Sequence, residues 1–236
     1  MDTSDRIRKA NKISSILKDF CDGELSNYTC LDLGCSQGVI SAQLASLFNR
    51  LVGIDVNFIA LQSAQGVKFY RSGSPYFVCG NGYHLPFSNS EFDVVVCAQV
   101  YEHIPDAVGM VEEIKRILRP GGLCFFSGPN RLAIMEEHYW LPFLSWLPHK
   151  ISTIYMKLLR RGTVYDIYPL TYWQLIRMWG DYKIYDYSLK LLRSPRDYCV
   201  EERVEEFTLI KYLPNWLLKA FHPFYPNYNW IIVKPK

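Results

Sequence analysis

The chain of 236 residues holds seven cysteines but no C-x-x-C pair, no apolar window long enough to span a bilayer, no Gly/Ser-rich linker and no internal repeat. Each absence closes off a class of protein. Cys21, Cys30, Cys35, Cys79, Cys97, Cys124 and Cys199 are odd in number and fall mostly inside apolar runs, as reduced structural thiols do. They predict an intracellular protein without a zinc site, and no metal is expected. Without a run of about 18 apolar residues, an ordinary membrane-spanning helix is excluded. The opening stretch, MDTSDRIRKANKISSILKDF, carries charges throughout and lacks the uninterrupted apolar core of a secretory signal. The expected location is cytoplasmic, at most peripheral to a membrane.

A dense basic stripe is also missing. Residues 1–130 carry 11 Lys/Arg against 13 Asp/Glu, and residues 131–236 carry 15 against 10. A basic surplus this small, spread over the second half, argues against nucleic acid as a partner and is compatible with an anionic substrate or a membrane surface. A composition of 49% hydrophobic and 21% charged residues suits one globular domain with a real core.

What is present is an alternation of short apolar runs and helical patterns. Ile13, Ile16, Leu17 and Phe20 recur at helical spacing and predict an amphipathic first helix. Then YTCLDL reads as a strand, GVISAQLASLFN as a helix, RLVGID as a strand and FIALQSAQ as a helix. The strands YFVCG and FDVVVCA follow, then the helix DAVGMVEEIKRILR, stopped by Pro120-Gly121-Gly122, and the strand LCFFSG. Strands apolar along their whole length and separated by helices form a parallel sheet covered on both faces. Later, LTYWQLIRMWG reads as a helix and YKIYDYS as a strand. A helical, charged segment then leads to a closing strand, NWIIVK.

The stretch LDLGCSQG, Leu31 to Gly38, fits two chemistries. Gly34-Cys35-Ser36-Gln37-Gly38 matches a G-x-S-x-G nucleophile elbow, but that arrangement needs an oxyanion donor from an earlier strand-to-helix loop, and only about thirty residues precede Ser36. The alternative is a glycine turn beside a cofactor at the carboxyl end of the first strand. A carboxylate ending the second strand would then accept from ribose hydroxyls, and Asp55, closing LVGID, stands there. A G-x-G-x-x-G dinucleotide fingerprint would need a small residue at position 39, which is Val39.

CLDLGCSQG, LVGIDVN, LPFSNSEFDVVVCAQVYEHIPD and EEIKRILRPGGLCFFSGPN, in this order, resemble the successive motifs of class I S-adenosylmethionine-dependent methyltransferases over about residues 28–130. The resemblance implies an α/β, Rossmann-like, seven-stranded, mostly parallel sheet with helices on both faces and the last strand antiparallel. It implies S-adenosylmethionine as cofactor, held by Asp32, Gly34, Cys35, Ser36, Gly38, Asp55, Val56, Asn81, Gly82 and Gln99. Two positions depart from the family pattern. Ser36 replaces the usual middle glycine, which is tolerable if its backbone stays in an allowed region. Asn81 replaces an aspartate that often accepts from the adenine amino group; an amide oxygen accepts the same bond without charge, which predicts weaker binding. Asp32 either orders the turn or reaches the cofactor's amino group. Pro120-Gly121-Gly122 is structural.

Methyl transfer is an in-line displacement at an activated sulfonium, so a general base is needed only when the acceptor arrives protonated, as a hydroxyl does. His103, in YEHIPD after the fourth strand, and His138, in EEHYWLPFLSWLP after the fifth, are the catalytic candidates; the alternative for each is a histidine that shapes its loop. Trp140, Leu141, Phe143, Leu144, Trp146 and Leu147 lead into Lys150, Lys157, Arg160 and Arg161. This aromatic-rich, helical insertion either contacts a membrane through residues 139–161 or packs as a lid over the sheet edge. AQVYEH stands in place of the Asn/Asp-Pro-Pro-aromatic tetrad of amino-group methylation. The reading is a single domain: an N-terminal helix (1–27), a cofactor-binding core (28–130), a substrate-cap insertion (131–168) and the C-terminal part of the sheet (169–236). The expected reaction moves a methyl group to a small molecule, most simply an oxygen of a lipid-like, quinone-like or sugar acceptor. The rivals are an inactive cofactor-binding module and a serine hydrolase using Ser36.

Overall fold

In a sheet covered on both faces, successive residues of every strand point to opposite sides and both sets must be apolar. The computed structural model describes residues 3–65, 74–201 and 213–236 and meets that demand in the central strands, whereas the strands at the two sheet edges, Tyr76–Cys79 and Lys183–Asp186, are partly exposed. Leu31 and Leu33, Val95 and Cys97, Cys124 and Phe126, and Trp230 and Ile232 build one core. Their alternates Cys30, Val94 and Val96, Leu123 and Phe125, and Ile231 build the other.

The strands are β1 (Thr29–Leu33), β2 (Arg50–Asp55), β3 (Tyr76–Cys79), β4 (Phe92–Ala98), β5 (Leu118–Pro129), a small hairpin β6 (Met135–Glu136) and β7 (Leu141–Pro142), then β8 (Lys183–Asp186) and β9 (Asn227–Val233). Among the described residues the main sheet has the order β3-β2-β1-β4-β5-β9-β8, parallel except for β9, which is antiparallel to both neighbours. The order reverses direction at β1 and β4, so the crevice expected to hold a ligand opens at their carboxyl ends.

Helix α1 (Thr3–Phe20) buries Ile13, Ile16 and Leu17 against the second core, beside α2 (Val39–Leu44). Helix α3 (Phe58–Gln65) follows β2. The first core is covered by α4 (Ala107–Ile117), through Met110, Val111, Ile114 and Ile117, and by α6 (Tyr172–Trp179), through Leu175, Met178 and Trp179. Both start at built caps: the Asp106 carboxylate accepts from the Gly109 N–H, and Thr171 and Gln174 form a capping box. Helices α5 (His149–Leu158), α7 (Ser188–Arg193) and α8 (Asn215–Ala220) complete the described chain.

Three local expectations change. GVISAQLASLFN is one short α-helix followed by a single 3₁₀ turn, Ala45–Leu47. The helix expected to run to Pro120 ends at Ile117, and Pro120-Gly121-Gly122 lies inside β5 as an irregularity in its pairing with β4. The physical reason is twofold. Proline disfavours helical backbone at the residue before it, and the Lys234 ammonium donates to the carbonyls of Lys115 (2.6 Å) and Leu118 (2.7 Å), capping the helix from the last strand. The insertion after β5 is a hairpin plus one helix around its own small core of Leu141, Leu144, Met156, Tyr165 and Ile167. Of the expected charged helical segment, α7 is observed and residues 202–212 lie outside the described residues.

Candidate functional site

The turn after β1 is shaped by backbone that side chains rarely adopt. Gly34, Ser36 and Gly38 all have positive φ, at 75°, 50° and 70°. A Cβ on Gly34 would lie 2.6 Å from Val100 Cγ2, and one on Gly38 would lie 2.5 Å from Phe77 Cζ, so both positions demand glycine on space as well as on conformation. Ser36 takes the left-handed region, a small allowed well for an L-residue. Its N–H is used: it donates to Asp55 Oδ2 at 2.7 Å, while Asn57 N–H donates to Oδ1 at 2.8 Å. Asp55 thus joins the glycine turn to the start of α3 and keeps further lone pairs on both oxygens.

Asp32 is buried and accepts from Ser41 Oγ at 2.5 Å, tying β1 to α2. Burial pushes its carboxyl up to about 7, opposed by the Ser41 bond and assisted by the charge of Asp55. Cys35 turns inward: its thiol lies beside Gly53, its N–H is spent on Ile54 O, and burial raises the thiol far out of reach of ionisation. Val56 is open to solvent at the strand end. Asn81 Oδ1 accepts from Tyr83 N–H at 3.2 Å, and Gly82 packs closely on Ile104. Gln99, immediately after β4, has φ 59° and is held by its N–H to Ser127 O at 2.8 Å. Two non-glycine residues in strained backbone, Ser36 and Gln99, therefore sit on the turns beyond β1 and β4, where strain concentrates at functional sites.

The second half of the site adjoins the first. Val100, which covers Gly34, accepts the His103 N–H through its carbonyl at 3.0 Å. His103 and His138 come together from different loops, with ring centroids 5.4 Å apart in an edge-on arrangement. Between them lies Glu102, fully buried, with Oε1 at 4.0 Å from His103 Nε2 and 3.9 Å from His138 Nε2. Among the described residues neither Glu102 oxygen has a hydrogen-bond partner. His138 Nδ1 meets Glu136 Oε1 at 2.9 Å, and Glu136 is itself fixed by the N–H groups of His138 and Tyr139.

This environment separates the titrations. Burial pushes Glu102 up to about 7, against the pull of its own backbone N–H and of His138. Burial, then the neighbouring His138, holds His103 below the ordinary histidine value. Burial acts the same way on His138, but the bond to Glu136 and the charges of Glu136 and Glu102 outweigh it and hold His138 above that value.

The comparisons agree with this architecture. A family profile described as a methyltransferase domain matches residues 31–126. Over those residues the chain resembles the class I methyltransferases, and its seven-stranded, mostly parallel sheet is their Rossmann-like fold. The ubiquinone biosynthesis O-methyltransferase of Aromatoleum aromaticum is 29% identical over 159 residues, covering 61% of this chain and 65% of that protein. The protein of the same name from Thiobacillus denitrificans is 33% identical over 128 residues, covering 51% and 55%. The match thus spans less than two thirds of either relative's length. Among solved structures, the plantazolicin methyltransferase BpumL in complex with a monoazolic desmethylPZN analog and SAH gives a TM-score of 0.61 at 14% identity, covering 99% of this chain and 85% of its own. At that identity the likeness concerns the fold.

In this methyltransferase domain the hydrolase reading of Ser36 loses its premise, because β1 is the first strand among the described residues and no earlier strand-to-helix loop offers a second oxyanion donor. The residues that sequence reasoning missed are Glu102 and Glu136. Both stand beside the histidines in the sequence, in YEH and EEH, and an acid next to each candidate histidine was the available signal.

Proposed function

We propose that this domain transfers a methyl group from S-adenosylmethionine to an oxygen of a small, quinone-like or lipid-like acceptor. The observation that carries the reading is the junction, through Val100, of a positive-φ cradle and a carboxylate–histidine cluster at one sheet edge. Sequence kinship to proteins named ubiquinone biosynthesis O-methyltransferase supports oxygen as the acceptor atom.

S-adenosylmethionine fits the residues present. Gly34 and Gly38 supply the positive φ of the turn, and Val100 and Phe77 pack against them and fix its shape. Asp55 retains acceptor capacity for ribose hydroxyls, and the Asn81 amide oxygen retains a lone pair for an amino group. When bound, the cofactor supplies a methyl carbon made electrophilic by its sulfonium. The protein's own work is to hold the acceptor in line and to prepare its oxygen. A neutral hydroxyl is a weak nucleophile, so its proton must leave. The Glu102, His103 and His138 cluster, which adjoins Val100, is the set of side chains that prepares that oxygen for deprotonation.

The insertion supports an amphiphilic acceptor taken from a membrane surface. Leu141 and Leu144 pack inward, whereas Trp140, Phe143 and Trp146 face solvent. On α5, Ser152 and Met156 face inward and Ile151, Ile154 and Leu158 form an exposed apolar stripe at helical spacing, next to exposed Lys150, Lys157, Arg160 and Arg161. A lid would turn its apolar side toward the sheet; an interfacial segment turns it outward, with basic groups for anionic head groups.

The test is incubation of the full chain with methyl-labelled S-adenosylmethionine and a prenylated catechol in anionic vesicles. The expected product is the labelled methyl ether, reduced at least about a hundredfold by His103→Ala. Cofactor binding without label transfer to any hydroxyl-bearing acceptor in a cell extract would instead assign a binding module.

A further inference from the structure

We propose that Glu102, His103 and His138 form the binding site of a divalent transition-metal ion of the zinc type, with an open coordination position toward the acceptor. A carboxylate buried to 0% exposure with neither oxygen hydrogen-bonded is a costly arrangement unless something else satisfies it, and the usual solutions are a charged partner or a metal ion. Two imidazoles stand next to it without hydrogen-bonding it. The two histidine Nε2 atoms stand 4.0 and 3.9 Å from Oε1, and one ligand atom from each of the three residues falls within 4.8 Å of the others. Ligands of one tetrahedral ion at about 2.0–2.1 Å lie about 3.4 Å apart, so each histidine nitrogen closes on Oε1 by about half an ångström and the widest pair of the set by up to about 1.4 Å.

The second observation is the orientation of His138. Its Nδ1 meets Glu136 Oε1 at 2.9 Å, and Glu136 is held by two backbone N–H groups. A carboxylate accepts only, so it draws the ring proton to Nδ1 and frees Nε2, the nitrogen 3.9 Å from Glu102 Oε1, to act as a ligand. A carboxylate–histidine pair of this kind is the recurrent support of metal-ligating histidines. Two imidazoles and one carboxylate are a donor set for a borderline divalent ion, and three protein ligands leave a fourth position for an incoming oxygen. The His103 side chain is 48% exposed, so solvent and an incoming oxygen have access to the cluster.

Cysteine spacing does not reveal this site, since it uses none of the seven cysteines. Its role in catalysis rests on the methyl-transfer reading. An ion there acts as a Lewis acid on the acceptor hydroxyl: the O–H bond releases its proton to bulk water, and the oxyanion attacks the methyl carbon as the S–C bond breaks.

The experiment titrates the chelator-treated full chain with Co(II), followed by visible d–d absorption, and with Zn(II) by calorimetry. Thermal stabilisation by S-adenosylhomocysteine is measured on the same samples. One equivalent of cobalt with the spectrum of a four- or five-coordinate nitrogen and oxygen site is expected. His138→Ala and Glu102→Gln should remove it, and the milder Glu136→Gln, which leaves all three ligands in place, should weaken it about 10- to 100-fold. Absence of the cobalt spectrum, thiolate-to-cobalt charge transfer, or uptake indifferent to Glu136→Gln and His138→Ala would overturn the site. Stabilisation by S-adenosylhomocysteine without cobalt uptake would leave the methyl-transfer reading standing alone; cobalt uptake without that stabilisation would do the reverse.

Discussion

Asp55 holds the two halves of the cofactor turn with one carboxylate, one oxygen on Ser36 and the other on Asn57. Its position was legible in the sequence, because an acid closing the second strand of a parallel sheet has few other places to be. Asp32 was legible as a residue of importance but not in its role, which depends on a partner, Ser41, on a different element. Its pH behaviour follows from its burial. With the folded value raised to about 7 and the unfolded value near the ordinary 3.8, the folded state binds the extra proton between those limits. The penalty for an ionised Asp32 is therefore full above pH 7 and is relieved as pH falls toward 4. Asp32→Asn keeps an acceptor for Ser41, so it should raise Tm at pH 8, by roughly 2–4 °C for each kcal/mol relieved, and this gain should shrink by pH 5. A Tm gain that does not depend on pH would contradict the assignment. Glu102 was hidden for a different reason. Beside His103 in a loop it reads as a solvated charge, and only the packing of the loop against β5 buries it.

At the scale of elements, apolar runs located the central strands of the main sheet because each is covered on both sides, which leaves a continuous signal; the edge strands β3 and β8 are only partly buried and were legible from their β-branched and aromatic residues. It misplaced the end of α4, where a lysine 117 residues beyond Ile117 supplies the cap that local sequence does not. Lys234→Ala should therefore lower stability by about 1 kcal/mol, the scale of a charge-assisted helix cap, and lower the denaturation midpoint accordingly. An unchanged midpoint would show the cap to be dispensable. The insertion was legible as aromatic and basic, but which aromatics face outward depends on its separate core. Trp140→Glu with Leu158→Glu should abolish sedimentation with anionic vesicles and leave stabilisation by S-adenosylhomocysteine intact. Vesicle binding that survives both changes would remove the insertion from the membrane account.

For the whole molecule, the strand order sets where chemistry can occur. The reversal between β1 and β4 brings the turn at 34–38, Asp55, Gln99 and the Glu102, His103 and His138 cluster to one edge. A shallow groove lined by Asn49, Arg50 and Tyr76 lies at the opposite, amino end of β2 and β3, away from these groups. None of the helices among the described residues is long and apolar enough to cross a membrane. The fold class was legible because it depends on a pattern repeated along the chain; the acceptor chemistry was less so because it depends on meetings between distant loops. The most direct measurement is isothermal calorimetry of the full chain with S-adenosylhomocysteine, wild type against Asp55→Ala. The account predicts one equivalent taken up by the wild type and loss of the heat in the variant. No uptake by the wild type, or equal uptake by both, would contradict it.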